Sequence, residues 1–112
     1  MNRVFVYGTL KRGQRNYHFL RNANFIGEFV TLNKFSMYEF DDYPAVCQHG
    51  KDSIEGEVYE VTDYQFRRLD ELEWYPDFYQ RIEIATTFGD AWMYVVRAEL
   101  CVGRKLIPGN WR

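Results

Sequence analysis

The sequence predicts an α+β fold with a mostly antiparallel sheet, curled into a barrel that hides its edges. Three observations carry that expectation. Strands come first, then one well-marked helix, then more strands, without the regular strand–helix alternation of a doubly wound fold. The chain has 112 residues, which suits a single domain spanning 1–112. Its residues are 46% hydrophobic, with nine Tyr, nine Phe and three Trp, so one core forms without staples and buries roughly 65% of the unfolded surface.

The elements follow in order. Arg3 to Tyr7 reads as a buried strand, because Val4, Phe5, Val6 and Tyr7 are apolar or aromatic on both faces. Gly8 to Gln14 is a loop, and Asn16 to Arg21 is a short helix. Phe25 to Leu32 and Lys34 to Glu39 are strands about a turn at Asn33. Asp41 and Asp42 turn into a short Tyr43 to Val46 stretch, and the polar Gln48 to Ser53 turns again. Ile54 to Val61 is a strand. The helix starts at Thr62 or Asp63, each a good N-cap, and runs to about Trp74, with Pro76 as its stop. Tyr79 to Thr86 and Ala91 to Ala98 are strands joined by a turn at Phe88-Gly89-Asp90.

Charge and cysteine content exclude several functions. Fourteen Lys and Arg against sixteen Asp and Glu leave a net charge of -2, without the basic excess of a nucleic-acid binder. No run of apolar residues is long enough to span a membrane. The N-terminal MNRVFVYGTL meets the polar KRGQRN too early for a signal peptide. Cys47 and Cys101 are therefore expected to be reduced thiols in a cytoplasm.

Two segments have chemical potential. Tyr7-Gly8-Thr9-Leu10-Lys11-Arg12-Gly13 has the outline of a phosphate loop, but Gln14 and Arg15 stand where Lys and Ser/Thr are needed. A glycine directly after a buried strand still lets the chain bend sharply, and successive N–H groups in such a bend converge on an anion or a carbonyl oxygen. A plain tight turn is the alternative. On the helix, Leu69 and Asp70 fall within about 60° of Phe66 at 100° per residue, and Glu73 falls between Leu69 and Phe66. Glu73 thus shares the face that docks the helix, in its last turn. Burial and the helix dipole both raise a carboxyl pKa there, which suits a general base near neutral pH. The alternative is a Glu at the edge of that face that reaches water or pairs with Arg81.

Other patterns point to less. His18, His49, Cys47 and Cys101 lack metal-ligand spacing, and no metal or other cofactor is expected. Neither Ser36 nor Ser53 lies in a nucleophile elbow. Trp74, Tyr75, Phe78 and Tyr79 cluster past the helix, as core or as the wall of a small-molecule pocket.

Taken together, VFVYGTLKRGQ, EGEVYEV and LDELEWYPDFYQR resemble the γ-glutamylcyclotransferase superfamily, in the right order and over nearly the whole chain. The likeness is to its small bacterial, AIG2-like members and to the γ-glutamylamine cyclotransferases. It implies a small mixed barrel flanked by helices. It also implies a substrate-cradling loop at Tyr7, Gly8, Thr9 and Leu10 and a catalytic glutamate at Glu73. One departure is Trp74, where family members commonly carry a small residue, often Gly.

The implied enzyme is an amide-cleaving lyase or acyltransferase that needs no cofactor. A γ-glutamyl amine or dipeptide carries its own nucleophile, the α-amino group, which closes a five-membered ring on the γ-carbonyl. The products are 5-oxoproline and a free amine. Such a reaction needs a base that also returns a proton, N–H groups for the oxyanion and a folded-back substrate. A non-catalytic small-molecule binding or interaction protein on the same fold is the alternative.

Overall fold

The computed structural model describes residues 1–112. Eight strands form, β1 (Asn2–Val6), β2 (Asn24–Val30), β3 (Phe35–Phe40), β4 (Tyr43–Gln48), β5 (Glu55–Val61), β6 (Gln80–Thr86), β7 (Gly89–Val95) and β8 (Lys105–Ile107). One α-helix, α1 (Asp63–Leu72), lies between β5 and β6. Short 3-10 turns occupy Tyr17–Phe19 and Ala98–Cys101.

The fold is α+β and mostly antiparallel, as the element order predicts. A five-stranded sheet runs β2-β5-β1-β7-β6, and a three-stranded sheet runs β4-β3-β8. Only β1 and β7 pair in parallel. The two sheets curl about each other without closing into one continuous barrel. Single backbone bonds span the gaps: Val96 N–H donates to Val46 O at 2.9 Å, and Glu55 N–H donates to Gly109 O at 2.8 Å.

The central place of β1 follows from its composition. Val4, Phe5 and Val6 are all buried, because β5 and β7 flank the strand and both faces are covered. Strand alternation sends Val4 and Val6 into a core cluster with Phe66 and Leu69 of α1. Phe5 and the following Tyr7 enter a second cluster with Met37, Val46 and Met93. The chain leaves the core at the C-terminal end of β1, where the Gly8 loop begins.

The capping of α1 is complete. Thr62 Oγ1 accepts from Gln65 N–H at 3.1 Å, and Gln65 Oε1 accepts from Thr62 N–H at 2.8 Å. The helix stops at Leu72 rather than near Trp74, and Pro76 is not what stops it. Trp74 N–H donates to Glu71 O at 3.2 Å and Tyr75 N–H to Asp70 O at 2.9 Å, the paired bonds of a Schellman motif. Glu73 is the C-cap, and Trp74 takes the left-handed position with φ +54°.

Other boundaries differ from the sequence reading by a residue or two, with three larger corrections. Tyr43 to Gln48 is a full strand despite Pro44, because β4 is a sheet edge and the missing N–H interrupts no ladder. The last long strand ends at Val95 and not at Ala98, since Val96 already turns its N–H to β4. Strand β7 begins at Gly89, which pairs with Thr86, so the turn is Thr87-Phe88. No helix is long and apolar enough to cross a membrane. Cys47 and Cys101 are free and buried. Burial, then the Cys47 thiol, pushes Cys101 up to about 12, which keeps it protonated and unreactive.

Candidate active site

The bend after β1 is held from behind. The carbonyl of Gly8 accepts from Lys11 N–H at 3.1 Å, and that of Thr9 from Asn16 N–H at 2.9 Å. Asn16 Nδ2 also donates to Thr9 Oγ1 at 3.0 Å. Buried Glu57, on β5, reaches the outer part of the loop. Its Oε1 accepts from Arg12 N–H at 3.0 Å and from Tyr59 O–H at 2.8 Å, while Oε2 accepts from Arg12 Nε at 3.4 Å. Glu57 thereby ties the loop to the sheet. Replacing Glu57 with Ala strands the Tyr59 hydroxyl and the Arg12 amide. Urea unfolding is expected to show a loss of about 1–3 kcal/mol.

Those bonds consume carbonyls of the loop and leave its first amides free. The N–H groups of Gly8, Thr9 and Leu10 donate to no acceptor within the protein. Gly8 itself is required by space: a Cβ there would stand 2.7 Å from Cγ of Pro44. Strand β4 therefore lies directly against the bend.

A cavity of about 440 Å³ opens at this bend, a size that suits a small molecule. Tyr7, Gly8, Thr9 and Leu10 line it, and so does Glu73. The loop and the helix terminus, 63 residues apart from Leu10 to Glu73, thus meet at one site. Leu10 is also a core residue, so its side chain anchors the loop while its backbone faces the bend.

The Glu73 carboxyl makes no hydrogen bond and no ion pair within the protein. Arg81, the partner available from sequence, is engaged elsewhere. It pairs with Asp70 Oδ2 at 3.5 Å and stacks over Tyr75 and Phe66 at 4.1 and 4.3 Å. Glu73 keeps some solvent exposure because it borders an open cavity, yet protein surrounds enough of the carboxyl that burial alone raises it to about 7. The phenols around it do not compensate the charge. Tyr7 O–H donates to Tyr94 O at 2.8 Å, Tyr79 O–H to Pro44 O at 2.6 Å, and Tyr94 O–H to Asp70 Oδ1 at 2.7 Å. Burial first, with the Glu73 charge as a further cause, pushes all three phenols up and keeps them protonated.

An unpaired carboxyl poised near neutrality, in one cavity with three unused amides, has the parts for proton transfer beside an oxyanion or carboxylate site. The family described as gamma-glutamyl cyclotransferase, AIG2-like, matches residues 4–112. The chain belongs to this family. The γ-glutamylcyclotransferase family protein YtfP of Escherichia coli is 36% identical over 110 residues, covering 97% of this chain and 95% of that protein. Its solution structure superimposes with a TM-score of 0.79 at 37% identity, over 97% of this chain and 95% of the other. The crystal structure of a mouse AIG2-like protein gives 0.86 at 25% identity, over 100% of this chain and 88% of the other.

Within this γ-glutamylcyclotransferase-family cavity, several walls have no local signal in sequence. Tyr43 and Pro44 come from β4, Tyr94 from β7, and Arg15 and Asn16 from beyond the loop. Only folding brings them to the bend. The aromatic run after the helix divides: Trp74, Phe78 and Tyr79 line the cavity, whereas Tyr75 lies under the Arg81 guanidinium.

Proposed function

We propose that this chain is a γ-glutamylcyclotransferase that converts a γ-glutamyl amine or dipeptide to 5-oxoproline and a free amine. The observation that carries the reading is the unpaired Glu73 carboxyl, raised to about 7, in the same cavity as the free amides of Gly8, Thr9 and Leu10. Glu73 takes a proton from the substrate α-ammonium. The freed amine attacks the γ-carbonyl carbon and forms the new C–N bond of the ring. The tetrahedral intermediate collapses with cleavage of the original amide C–N bond, Glu73 returns its proton to the departing nitrogen, and the second proton of the ring nitrogen passes to the released amine, which leaves as an ammonium. The loop amides hold the glutamyl end and the developing oxyanion. Enclosure between loop and aromatic walls favours the folded-back substrate.

The test is release of 5-oxoproline, measured by chromatography, from a panel of γ-glutamyl amines and dipeptides. Production from at least one supports the reading; none from any member overturns it. The base must be ionised, so kcat/KM is expected to climb with pH through about 7 and to drop roughly tenfold per unit well below it. A profile flat between pH 5 and 8 would remove Glu73 from the role of base.

A further inference from the structure

Trp74 is the odd residue of the site. The residue is 74% exposed, and its backbone lies in the left-handed region at φ +54°, which disfavours any side chain with a Cβ. It belongs to neither core cluster, and its ring nitrogen donates to no group in the protein. The Schellman bonds account for the backbone conformation, but no core packing and no side-chain hydrogen bond accounts for a large apolar side chain left largely in solvent. Trp74 nevertheless lines the cavity, directly after Glu73.

That place defines what it meets. If Glu73 returns the proton to the departing nitrogen, that nitrogen lies within hydrogen-bond reach of its carboxyl. The substituent on the nitrogen then starts beside Trp74, while the loop amides hold the glutamyl end. Nearby walls are aromatic too: Tyr43 and Phe78 meet edge to face with centroids 6.3 Å apart, and both line the cavity. Charge points the same way. Arg15, the cation lining the cavity, is already paired with Asp42 at 2.7 Å. A departing amine with its own carboxylate finds no free cation there and meets Glu73 as a like charge.

We propose that Trp74 is a specificity-determining residue that stacks on the departing amine, and that the preferred substrates are γ-glutamyl amides of aromatic-bearing amines that carry no carboxylate. The proposal rests on the γ-glutamyl reading of the site. An aromatic pair in such a cleft contributes enough for roughly tenfold discrimination. Because the ring grips the amine before and during bond cleavage, the preference should sit in KM rather than kcat.

The experiment compares γ-glutamyl-phenethylamide, γ-glutamyl-methylamide, γ-glutamyl-phenylalanine and the γ-glutamyl amide of 1,5-diaminopentane. The proteins are the wild type, Trp74→Gly and Trp74→Phe. In the wild type, the phenethylamide is expected to exceed the methylamide about tenfold in kcat/KM, chiefly through KM. The phenylalanine derivative, with the same ring plus a carboxylate, should be the poorer of the two aromatic substrates. Trp74→Gly should erase the ring preference, and Trp74→Phe should restore most of it. The urea midpoint of Trp74→Gly checks folding and should not fall, since glycine suits this φ. Ring preference that survives Trp74→Gly, a better phenylalanine derivative, or a better diamine derivative overturns the Trp74 proposal and leaves the cyclotransferase reading standing. If the wild type turns over none of the four and calorimetry detects no binding, both fall together. Binding without turnover leaves the ring preference to be read from the Kd ratios, by the same criteria.

Discussion

Glu73→Gln is expected to abolish 5-oxoproline production and, above pH 7, to make the protein more stable than the wild type. Gln keeps the shape of the side chain but neither takes nor returns a proton. General acid–base groups contribute roughly 10²–10⁴-fold, so the loss should be of that order on any working substrate. The stability half follows from burial. The folded carboxyl titrates at about 7 against an ordinary value of 4.5, because burial disfavours its charged form. The folded protein therefore holds a proton that the unfolded chain has released. Relative stability from this group is fully present below about 4.5 and is lost as pH rises through about 7. The full shift corresponds to about 3 kcal/mol, reduced to about 1–3 kcal/mol because the cavity is open to solvent. Thermal melts at pH 5 and pH 8 read it directly. Wild type should lose several degrees relative to Glu73→Gln between the two. Near wild-type turnover in the variant would sink the catalytic assignment. Parallel melting behaviour across that range would sink the buried-carboxyl account.

Gly56→Ala is expected to destabilise the sheet core severely for the addition of a single methyl group. A Cβ at Gly56 would overlap the carbonyl oxygen of Val6 and stand 2.7 Å from the ring of Phe5. The backbone there is not left-handed, so space alone excludes the methyl group. The Val6 oxygen cannot give way cheaply, because β1 is locked on both sides by β5 and β7. Overpacking of this kind costs about 1–3 kcal/mol or more, against a total stability of about 5–15 kcal/mol. The strain falls on the residue that precedes Tyr7 and on the neighbour of Glu57, so the loop should be displaced as well. Urea unfolding is the measurement, with Gly13→Ala as the contrast. Gly13 has φ +83° but nothing within 4 Å of an added methyl group, so its cost is conformational and smaller. A Gly56→Ala midpoint equal to that of wild type would mean that β1 and β5 yield more easily than their pairing suggests.

Local pattern carried much of this architecture. The continuous apolar run Val4 to Tyr7 reads as a strand covered on both faces, and it is the central strand between β5 and β7. Thr62 and Gln65 mark the start of the helix three residues apart, and both capping bonds form. The period of Phe66, Leu69 and Glu73 sets the docking face before any partner is known. What failed locally was the helix end, because Trp74 occupies a left-handed position that sequence rules reserve for glycine. Strand β8 is three residues long, with Lys105 and Leu106 exposed, and it exists through pairing with β3 rather than through a pattern of its own.

Element order along the chain suffices for the α+β class, and neighbouring residues suffice for the buried first strand, the bend at Gly8 and the helix face that the C-cap Glu73 continues. Packing between distant segments brings the Gly8 bend and Glu73 into one cavity, presses Pro44 of β4 against the bend, and pairs Arg81 with Asp70. That last choice leaves Glu73 without a counter-charge, and burial then raises it to about 7. Desolvation and pairing are properties of what surrounds a group, and those surroundings come from strands distant in the chain.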